Sequence, residues 1–330
     1  LIVSGYHEVN PLSEEEVCLI LDLARVRLAM YATFAARALR EDPDNPHPQS
    51  KLADVHELLR RVSEVNPIAF ADRIREACGF PSLKPLRRES SQQMVHDRSA
   101  HFSKSIYTHY SEPIVLDHGA LQYLHAKDGQ TYLDGVNNVC QWGHCHPKIV
   151  RAAQKQIARL NTNSRYVCDP MAELAERLTA TMPAELDTVF LVNSGSEAND
   201  LAARLARAFT GNRELLVVDR AYHGNSSLST DMSPNRIDRP GRPGLPEYVM
   251  STACPDLYRG IYRDDDDDAV QKYLDDMKRV ITRLSDHGKS PAAFFAESLI
   301  GTGGQIVFPD GYLKGIHSQV RAAGGLCVAD

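Results

Sequence analysis

The spacing of apolar residues changes once along the chain. Up to about residue 80, apolar residues recur every three or four positions, which predicts amphipathic helices. Beyond about residue 105, short apolar runs alternate with helical segments, which predicts parallel strands joined by helices. Residues 81–104 mix Pro, Ser, Arg and Gln without periodicity and predict a linker. The sequence therefore predicts a helical segment over 1–80 and an α/β domain over 105–330.

Three helices are predicted in the first segment. Ser13 followed three positions later by Glu16 is a capping-box pattern, which marks a helix start. Two prolines within 42–46 end that helix, and Gly79 suits the left-handed conformation that follows a helix end. The predicted helices cover about 13–40, 52–62 and 67–79.

The second segment is predicted to form a mostly parallel sheet with helices on both faces. In such folds the functional sites lie at the carboxyl ends of the strands. The predicted strands are 188–192, 215–218, 292–296 and 326–329. The predicted helices begin near residues 147, 171 and 196 and cover about 270–284 and 312–322.

Composition restricts the class of protein and its partners. With 330 residues, 43% hydrophobic and 24% charged, the chain can bury a sizeable core and is not of a disordered, collagen-like or disulfide-scaffold type. A net charge of −6 gives no overall attraction to nucleic acid or anionic lipid. No apolar run is long enough to cross a membrane, no signal-peptide pattern starts the chain, and seven scattered cysteines fit reduced thiols. We therefore expect a cytoplasmic protein whose partner is a small molecule or another protein.

The strongest chemical pattern is the segment 193–200, between a predicted strand and a predicted helix. Gly195 and Ser196 at the helix start leave backbone N–H groups and a hydroxyl free to bind a phosphate. An ordinary strand-to-helix turn with a serine cap explains the same residues, so this segment alone leaves both interpretations open. A Walker A loop and a dinucleotide fingerprint are excluded, because the lysine and the glycine spacing are absent.

Aromatic and acidic residues follow the other predicted strands. Tyr222 can stack on a flat heterocycle, although packing, or for His223 an ordinary loop position, is the commoner role. Glu297 and Asp330 end apolar strands, where an unpaired acid is costly, so the two together indicate a cationic or protonated partner. A two-carboxylate hydrolase pair is the alternative, but the phosphate-type turn favours a cofactor.

A group of cysteines and histidines near residue 140 invites a metal interpretation. The spacing of Cys140, His144, Cys145 and His146 matches no closed zinc pattern, and no second cluster follows. We interpret the stretch as a shaped loop before the helix that begins at Pro147, and we predict no metal site.

Several separated motifs occur in a fixed order along the second segment. They are Tyr132-Leu133-Asp134, Asn137-Asn138-Val139, Gly143-His144-Cys145-His146-Pro147, Asn161-Thr162-Asn163-Ser164-Arg165-Tyr166, Asn193 to Asp200, Ala221-Tyr222-His223-Gly224 and Ala296-Glu297-Ser298. With these motifs, residues 105–330 resemble the class-III aminotransferases, which are fold-type-I enzymes dependent on pyridoxal 5'-phosphate (PLP). The resemblance implies an incomplete PLP-binding large domain.

The resemblance implies a role for each candidate residue. Gly195 and Ser196 would bind the cofactor phosphate, and Tyr222 would stack on the cofactor ring. Asp330 would pair with the pyridine nitrogen, whose protonation makes the ring an electron sink. Glu297 would lie near the ring.

The resemblance also bears on the extent of the chain. The Schiff-base lysine of the family lies downstream of the acid that matches Asp330, so we expect it beyond this chain. Together with the apolar start at Leu1, this predicts a truncated piece of a longer protein that does not catalyse transamination alone. The family implies a homodimer, with Asn161–Tyr166 contributing to the pocket.

Three functions stay open at this point. The motifs resemble most the branch that contains ethanolamine-phosphate phospho-lyase and the alanine–glyoxylate aminotransferase 2-like proteins, and Thr302 stands where many transaminases of the family carry a glutamate. The first function is transamination of an amine to a keto acid. The alternative is a lyase that eliminates phosphate from a phosphorylated amino alcohol such as phosphoethanolamine, and the third is a non-catalytic module.

Residues 1–80 resemble the C-terminal tail of an aminoglycoside-phosphotransferase-like kinase domain. The resemblance is carried by Gly5-Tyr6, by the stretch 11–16, and by the helix with Arg25 and Arg27. The catalytic loop of that fold would lie before Leu1, so no phosphoryl-transfer site is assigned. One hypothesis is a fusion in which a kinase phosphorylates an amino alcohol for the PLP domain.

Overall fold

A computed structural model describes residues 2–330 except 82–89, 107, 138, 238, 239 and 242. The chain divides into two compact units, Leu1–Val167 and Cys168–Asp330. The predicted linker 81–104 lies partly outside the described residues, as does Asn138 of one motif. The described part of that stretch contains a helix that sequence periodicity missed, capped by the Ser90 side chain on the Gln93 N–H.

The first unit contains six helices and a small antiparallel sheet among its described residues. The helices are α1 Ile2–Val9, α2 Glu14–Glu41, α3 Pro46–Glu64, α4 Pro67–Ala77, α5 Ser91–His101 and α6 Pro147–Arg159. The strands are β1 Leu116–Ala120, β2 Tyr123–Ala126 and β3 Thr131–Leu133, in the order β1-β2-β3.

The predicted helices of the first unit are confirmed, with one boundary corrected. Ser13 and Glu16 form the capping box at the start of α2, and Gly79 after α4 has φ +77°. The helix predicted from residue 52 begins six residues earlier, at Pro46. Proline is tolerated in the first turn of a helix, since the N–H that it lacks has no partner there, so Pro46 starts α3.

The second unit is a parallel sheet covered by helices on both faces. Its helices are α7 Asp169–Thr179, α8 Gly195–Thr210, α9 Ser227–Asp231, α10 Pro234–Ile237, α11 Ala269–Asp286 and α12 Tyr312–Ala322. Its strands are β4 Glu214–Val218, β5 Val249–Thr252, β6 Pro291–Ala296 and β7 Leu326–Ala329, in the order β5-β4-β6-β7. Every neighbouring pair is parallel, so the predicted α/β class is confirmed.

Side chains of the central strands alternate between two apolar layers. Leu216 and Phe294 pack with residues of α11 and α12, whereas Leu215 and Phe295 pack with residues of α8. All four side chains are fully buried. Because both faces of the sheet are covered, the central strands are continuous apolar runs, which is why the sequence reveals them.

The strand predicted over 188–192 is wrong. These residues form no ladder with any described strand, and Phe190 and Leu191 are more than half exposed. A strand needs a neighbour for its N–H and C=O groups, and an apolar run does not by itself supply one.

None of the described helices is both long and apolar enough to cross a membrane.

Candidate active site at the carboxyl edge of the parallel sheet

Five residues singled out from the sequence meet at one edge of the parallel sheet. Gly195 and Ser196 begin α8, Tyr222 follows β4, Glu297 follows β6 and Asp330 follows β7. All five line one cavity of about 460 Å³. The other lining residues are Asn199, His223, Gly224, Ser298 and Leu299.

The start of α8 presents free hydrogen-bond donors to this cavity. The Ser194 hydroxyl accepts from the Glu197 N–H at 3.2 Å and so caps the helix. The N–H groups of Gly195 and Ser196 have no acceptor among the described residues, and no atom lies within 4 Å of a Cβ built on Gly195. Unpaired N–H groups at the positive end of a helix dipole favour an anion in the open space.

The loop after β4 closes against this helix start. Gly224 has φ +129°, and a Cβ on it would lie 2.5 Å from the Ser196 Oγ. The Asn225 N–H donates to that Oγ at 2.9 Å. The Ser196 hydroxyl therefore has one lone pair engaged and keeps its own proton for a ligand.

Asp330 is held by two residues from different elements. His223 Nδ1 lies 2.8 Å from Asp330 Oδ2, and His223 is buried with an Nε2 that has no partner among the described residues. Burial raises the pKa of the Asp330 carboxyl. Hydrogen bonds from His223 and Asn199 together lower this pKa by more than burial raises it, so it lies below its usual range. The carboxylate is thus charged at neutral pH.

His223 and Asn199 also line the cavity, and the sequence interpretation gave neither of them a role in the site. It treated His223 as an ordinary loop histidine, yet the Asn199 amide donates to the His223 carbonyl at 2.9 Å and the Ser233 hydroxyl accepts from the His223 N–H at 2.8 Å. The signal that identifies His223 is its place next to Tyr222, directly after a buried strand.

The Tyr222 ring and the Glu297 carboxylate have well-defined neighbours. The guanidinium of Arg236 lies 4.9 Å from the centre of the Tyr222 ring. The Glu297 Oε1 accepts from the Tyr222 N–H at 3.0 Å, and the Oε2 accepts from the Gly301 N–H at 2.9 Å. Both residues therefore touch the cavity through a fixed local geometry.

The remaining sequence candidates belong to the first unit. His144 Nε2 lies 2.6 Å from Asp134 Oδ2, and hydrogen bonds from Asn137 and His144 lower the pKa of the Asp134 carboxyl. Cys140 and Cys145 are exposed. Among the residues that the structure describes, no three His, Cys, Asp or Glu side chains are grouped to hold a metal ion. The contribution of Asn161–Tyr166 to the pocket stays a prediction.

Comparison with known proteins decides the family. The family model described as "Aminotransferase class-III" matches residues 106–330. The chain is a class-III aminotransferase family member. The fold-type-I architecture expected from the sequence is confirmed by the solved structures that it matches.

Relatives of this family member carry two kinds of name. "Alanine--glyoxylate aminotransferase 2-like" of Drosophila melanogaster is 40% identical, over 73% of this chain and 50% of the relative. "Ethanolamine-phosphate phospho-lyase homolog 1" of Caenorhabditis elegans is 36% identical, over 73% of this chain and 54% of the relative. The structure of an Arthrobacter phospholyase in complex with phosphoethanolamine has a TM-score of 0.66 at 34% identity, over 72% of this chain and 55% of that one. The chain spans about half the length of the relatives it matches.

Class-III aminotransferases use PLP, and the residues of the cavity fit this group. Free N–H groups at Gly195 and Ser196 suit its phosphate, and the aromatic ring of Tyr222 suits a stacked pyridine. The charged Asp330 suits a protonated ring nitrogen. A cavity of about 460 Å³ is also of the size that small-molecule sites have.

Proposed function

We propose that this chain forms the PLP-binding part of an enzyme that transfers an amino group from an amine to a keto acid. One observation carries the proposal: the free N–H groups at the start of α8 and the charged Asp330 lie on the same cavity. One end of that cavity attracts a phosphate and another attracts a protonated nitrogen. Family membership supports the same assignment.

Each residue of the site has a distinct task in this proposal. The N–H groups of Gly195 and Ser196 and the Ser196 hydroxyl bind the phosphate, and Tyr222 covers one face of the ring. Asp330, kept charged by His223, accepts a hydrogen bond from the pyridine N–H and so keeps that nitrogen protonated. When bound, PLP supplies an electron sink for the substrate bonds next to its nitrogen.

Phosphate elimination is the second candidate function. Its support is specific, since the Arthrobacter phospholyase whose structure contains phosphoethanolamine is 34% identical to this chain. Thr302, in place of the glutamate expected of many transaminases, agrees with that candidate. The Drosophila relative that is named as an aminotransferase, at 40% identity, keeps transamination as the first proposal.

One assay separates these functions in the whole protein. The PLP-loaded protein is incubated with phosphoethanolamine or with one of a series of other amine donors, each with and without pyruvate, and free phosphate and alanine are measured. Alanine that forms only from the amine donor and pyruvate, without phosphate release, supports transamination. Phosphate release without pyruvate supports the lyase, and neither product with any amine supports a non-catalytic module.

Three further assignments belong to the proposal. We place the protein in the cytoplasm as a homodimer, the dimer to be checked by light scattering of the purified protein. The resemblance of residues 1–80 to a kinase tail extends the proposal to a kinase fused to the PLP domain. Absence of phosphate transfer from ATP to any amino alcohol by the whole protein would remove that extension.

A further inference from the structure

The Glu297 carboxylate lies between two loops that leave neighbouring strands. Glu297 follows β6, which pairs in parallel with β4, so the loops that follow these two strands leave the sheet side by side. Tyr222 belongs to the loop after β4, and Gly301 belongs to the turn after β6. The Glu297 Oε1 accepts from the Tyr222 N–H at 3.0 Å, and the Oε2 accepts from the Gly301 N–H at 2.9 Å.

Neither of these two N–H groups has another acceptor among the described residues. The Ala221 N–H bonds to the Val218 carbonyl, and the Ile300 N–H bonds to the Ile306 carbonyl, so the adjacent backbone is held independently. A half-buried N–H without an acceptor is costly, and a carboxylate is the strongest common acceptor for it. Glu297 thus supplies the acceptor for both of these N–H groups.

The turn after β6 is closely packed, both within itself and against the loop after β4. Ile300 and Ile306 bond to each other through both of their backbone groups and are buried. A Cβ on Gly303 would lie 2.7 Å from the Arg220 carbonyl oxygen of the loop after β4. The two loops are therefore in contact beyond the carboxylate, and Thr302 lies exposed between two glycines of this turn.

We infer that Glu297 is a positioning residue that clamps Tyr222 and the Ile300–Ile306 turn to each other through their backbone N–H groups. Each of its oxygens accepts one of these N–H groups, and the clamp reaches the cofactor through the position it gives to Tyr222. The clamp itself stands on the geometry of this chain. Its consequence for the cofactor rests on the proposed function.

Backbone hydrogen exchange of the whole protein, without cofactor, tests the clamp directly. In Glu297→Gln the amide group can accept only one of the two N–H groups, and in Glu297→Ala neither is accepted. Loss of a hydrogen bond to a charged group should raise the equilibrium constant for local opening about tenfold or more. We expect the Tyr222 or Gly301 amide to exchange about tenfold faster in Glu297→Gln, and both amides to do so in Glu297→Ala.

Two references make the exchange result unambiguous. Amides of the buried strand β4 should stay protected in every variant, which shows that the fold persists. Glu247→Gln makes the same chemical change at an exposed glutamate and should leave the Tyr222 and Gly301 amides unchanged. Unchanged exchange at both amides in Glu297→Gln and Glu297→Ala, with β4 protected, overturns the clamp.

Binding of PLP by the same variants tests the consequence for the cofactor. If Glu297 acts by placing Tyr222, then Glu297→Gln binds PLP more weakly than Glu247→Gln does. Faster exchange with unaltered PLP affinity overturns the link to the cofactor. If the parent chain itself binds no PLP, the proposed function fails, while the exchange data still decide the clamp.

Discussion

His223 Nδ1 donates to Asp330 Oδ2 across 2.8 Å, although 107 positions separate the two residues in sequence. The hydrogen bond joins the loop after β4 to the end of β7. Because His223 is buried and its backbone is bonded to Asn199 and Ser233, the imidazole presents a fixed donor to the carboxylate. This pair orients the acid that we assign to the pyridine nitrogen.

The pair predicts a pH dependence of stability. The pKa of Asp330 in the folded chain lies below its usual value of 3.8, so the carboxylate stabilises the fold above that value and its contribution is lost as pH falls through the folded pKa. Asp330→Asn removes this contribution at all pH values. We expect Asp330→Asn to be less stable than the parent chain at neutral pH, and this stability difference to shrink below about pH 4.

Urea denaturation at a series of pH values measures this difference. The midpoints of the two chains should converge as the solution is acidified. A difference that stays constant down to pH 3 would show that the Asp330 carboxylate is not stabilised by His223.

A pair of glycine substitutions tests the contact between the helix start and the loop after β4. Gly224→Ala places a Cβ against Ser196 in a left-handed conformation and should lower the free energy of unfolding by about 1–3 kcal/mol. Gly195→Ala places its Cβ in open space and should change that free energy by less than about 1 kcal/mol. Chemical denaturation of both variants decides the point, and equal effects would contradict the described approach of Gly224 to Ser196.

Arg236 is predicted to support the cofactor through the Tyr222 ring. Its guanidinium lies over that ring, and we expect PLP to stack on the face that lines the cavity. Arg236→Met keeps the bulk but removes the cation, and should weaken PLP binding about two- to fivefold, the range of one exposed cation–π contact. Arg236→Lys retains the cation and should bind PLP nearly as the parent chain does.

Fluorescence titration with PLP measures both Arg236 variants. If Arg236→Met binds PLP as tightly as Arg236→Lys does, the cation of Arg236 does not support PLP binding. If both variants bind PLP more weakly than the parent chain, the shape of the guanidinium matters and not its charge alone.

Burial explains which strands the sequence could predict. β4 and β6 lie in the centre of the sheet, so after Glu214 at the start of β4 their residues are apolar without interruption and stand out in the sequence. β1 contains Asp117 and His118, and β5 contains Ser251, so these short strands lack that pattern. The apolar run 188–192 has the pattern without a partner, because pairing depends on what lies beside a segment in space.

The sequence could place those residues of the site that come directly after a predicted strand. Tyr222 and Asp330 could be placed at one edge because the carboxyl ends of parallel strands meet there. Gly195 lies at the same edge although the strand predicted before it does not form. The roles of His223 and Glu297 could not be predicted, since each depends on a bond to a loop distant in sequence. Side-chain pairing across loops has no periodic signature, so only the three-dimensional arrangement reveals it.

The central claim is that the free N–H groups at the start of α8 bind the phosphate of PLP. Gly195→Pro removes one of these N–H groups at the first position of the helix, where proline is tolerated, and Ser194 before it has the extended conformation that proline requires (φ −158°, ψ 161°). Gly195→Ala retains the N–H and is the matched control. Pyridoxal, which lacks the phosphate, is the matched ligand.

Equilibrium dialysis of these two variants with PLP and with pyridoxal is the most direct test. Loss of one hydrogen bond to a charged group should weaken PLP binding by Gly195→Pro about tenfold or more relative to Gly195→Ala. Pyridoxal binding should be the same for both variants. Equal PLP affinity of the two variants would contradict the assignment of the α8 start as the phosphate site.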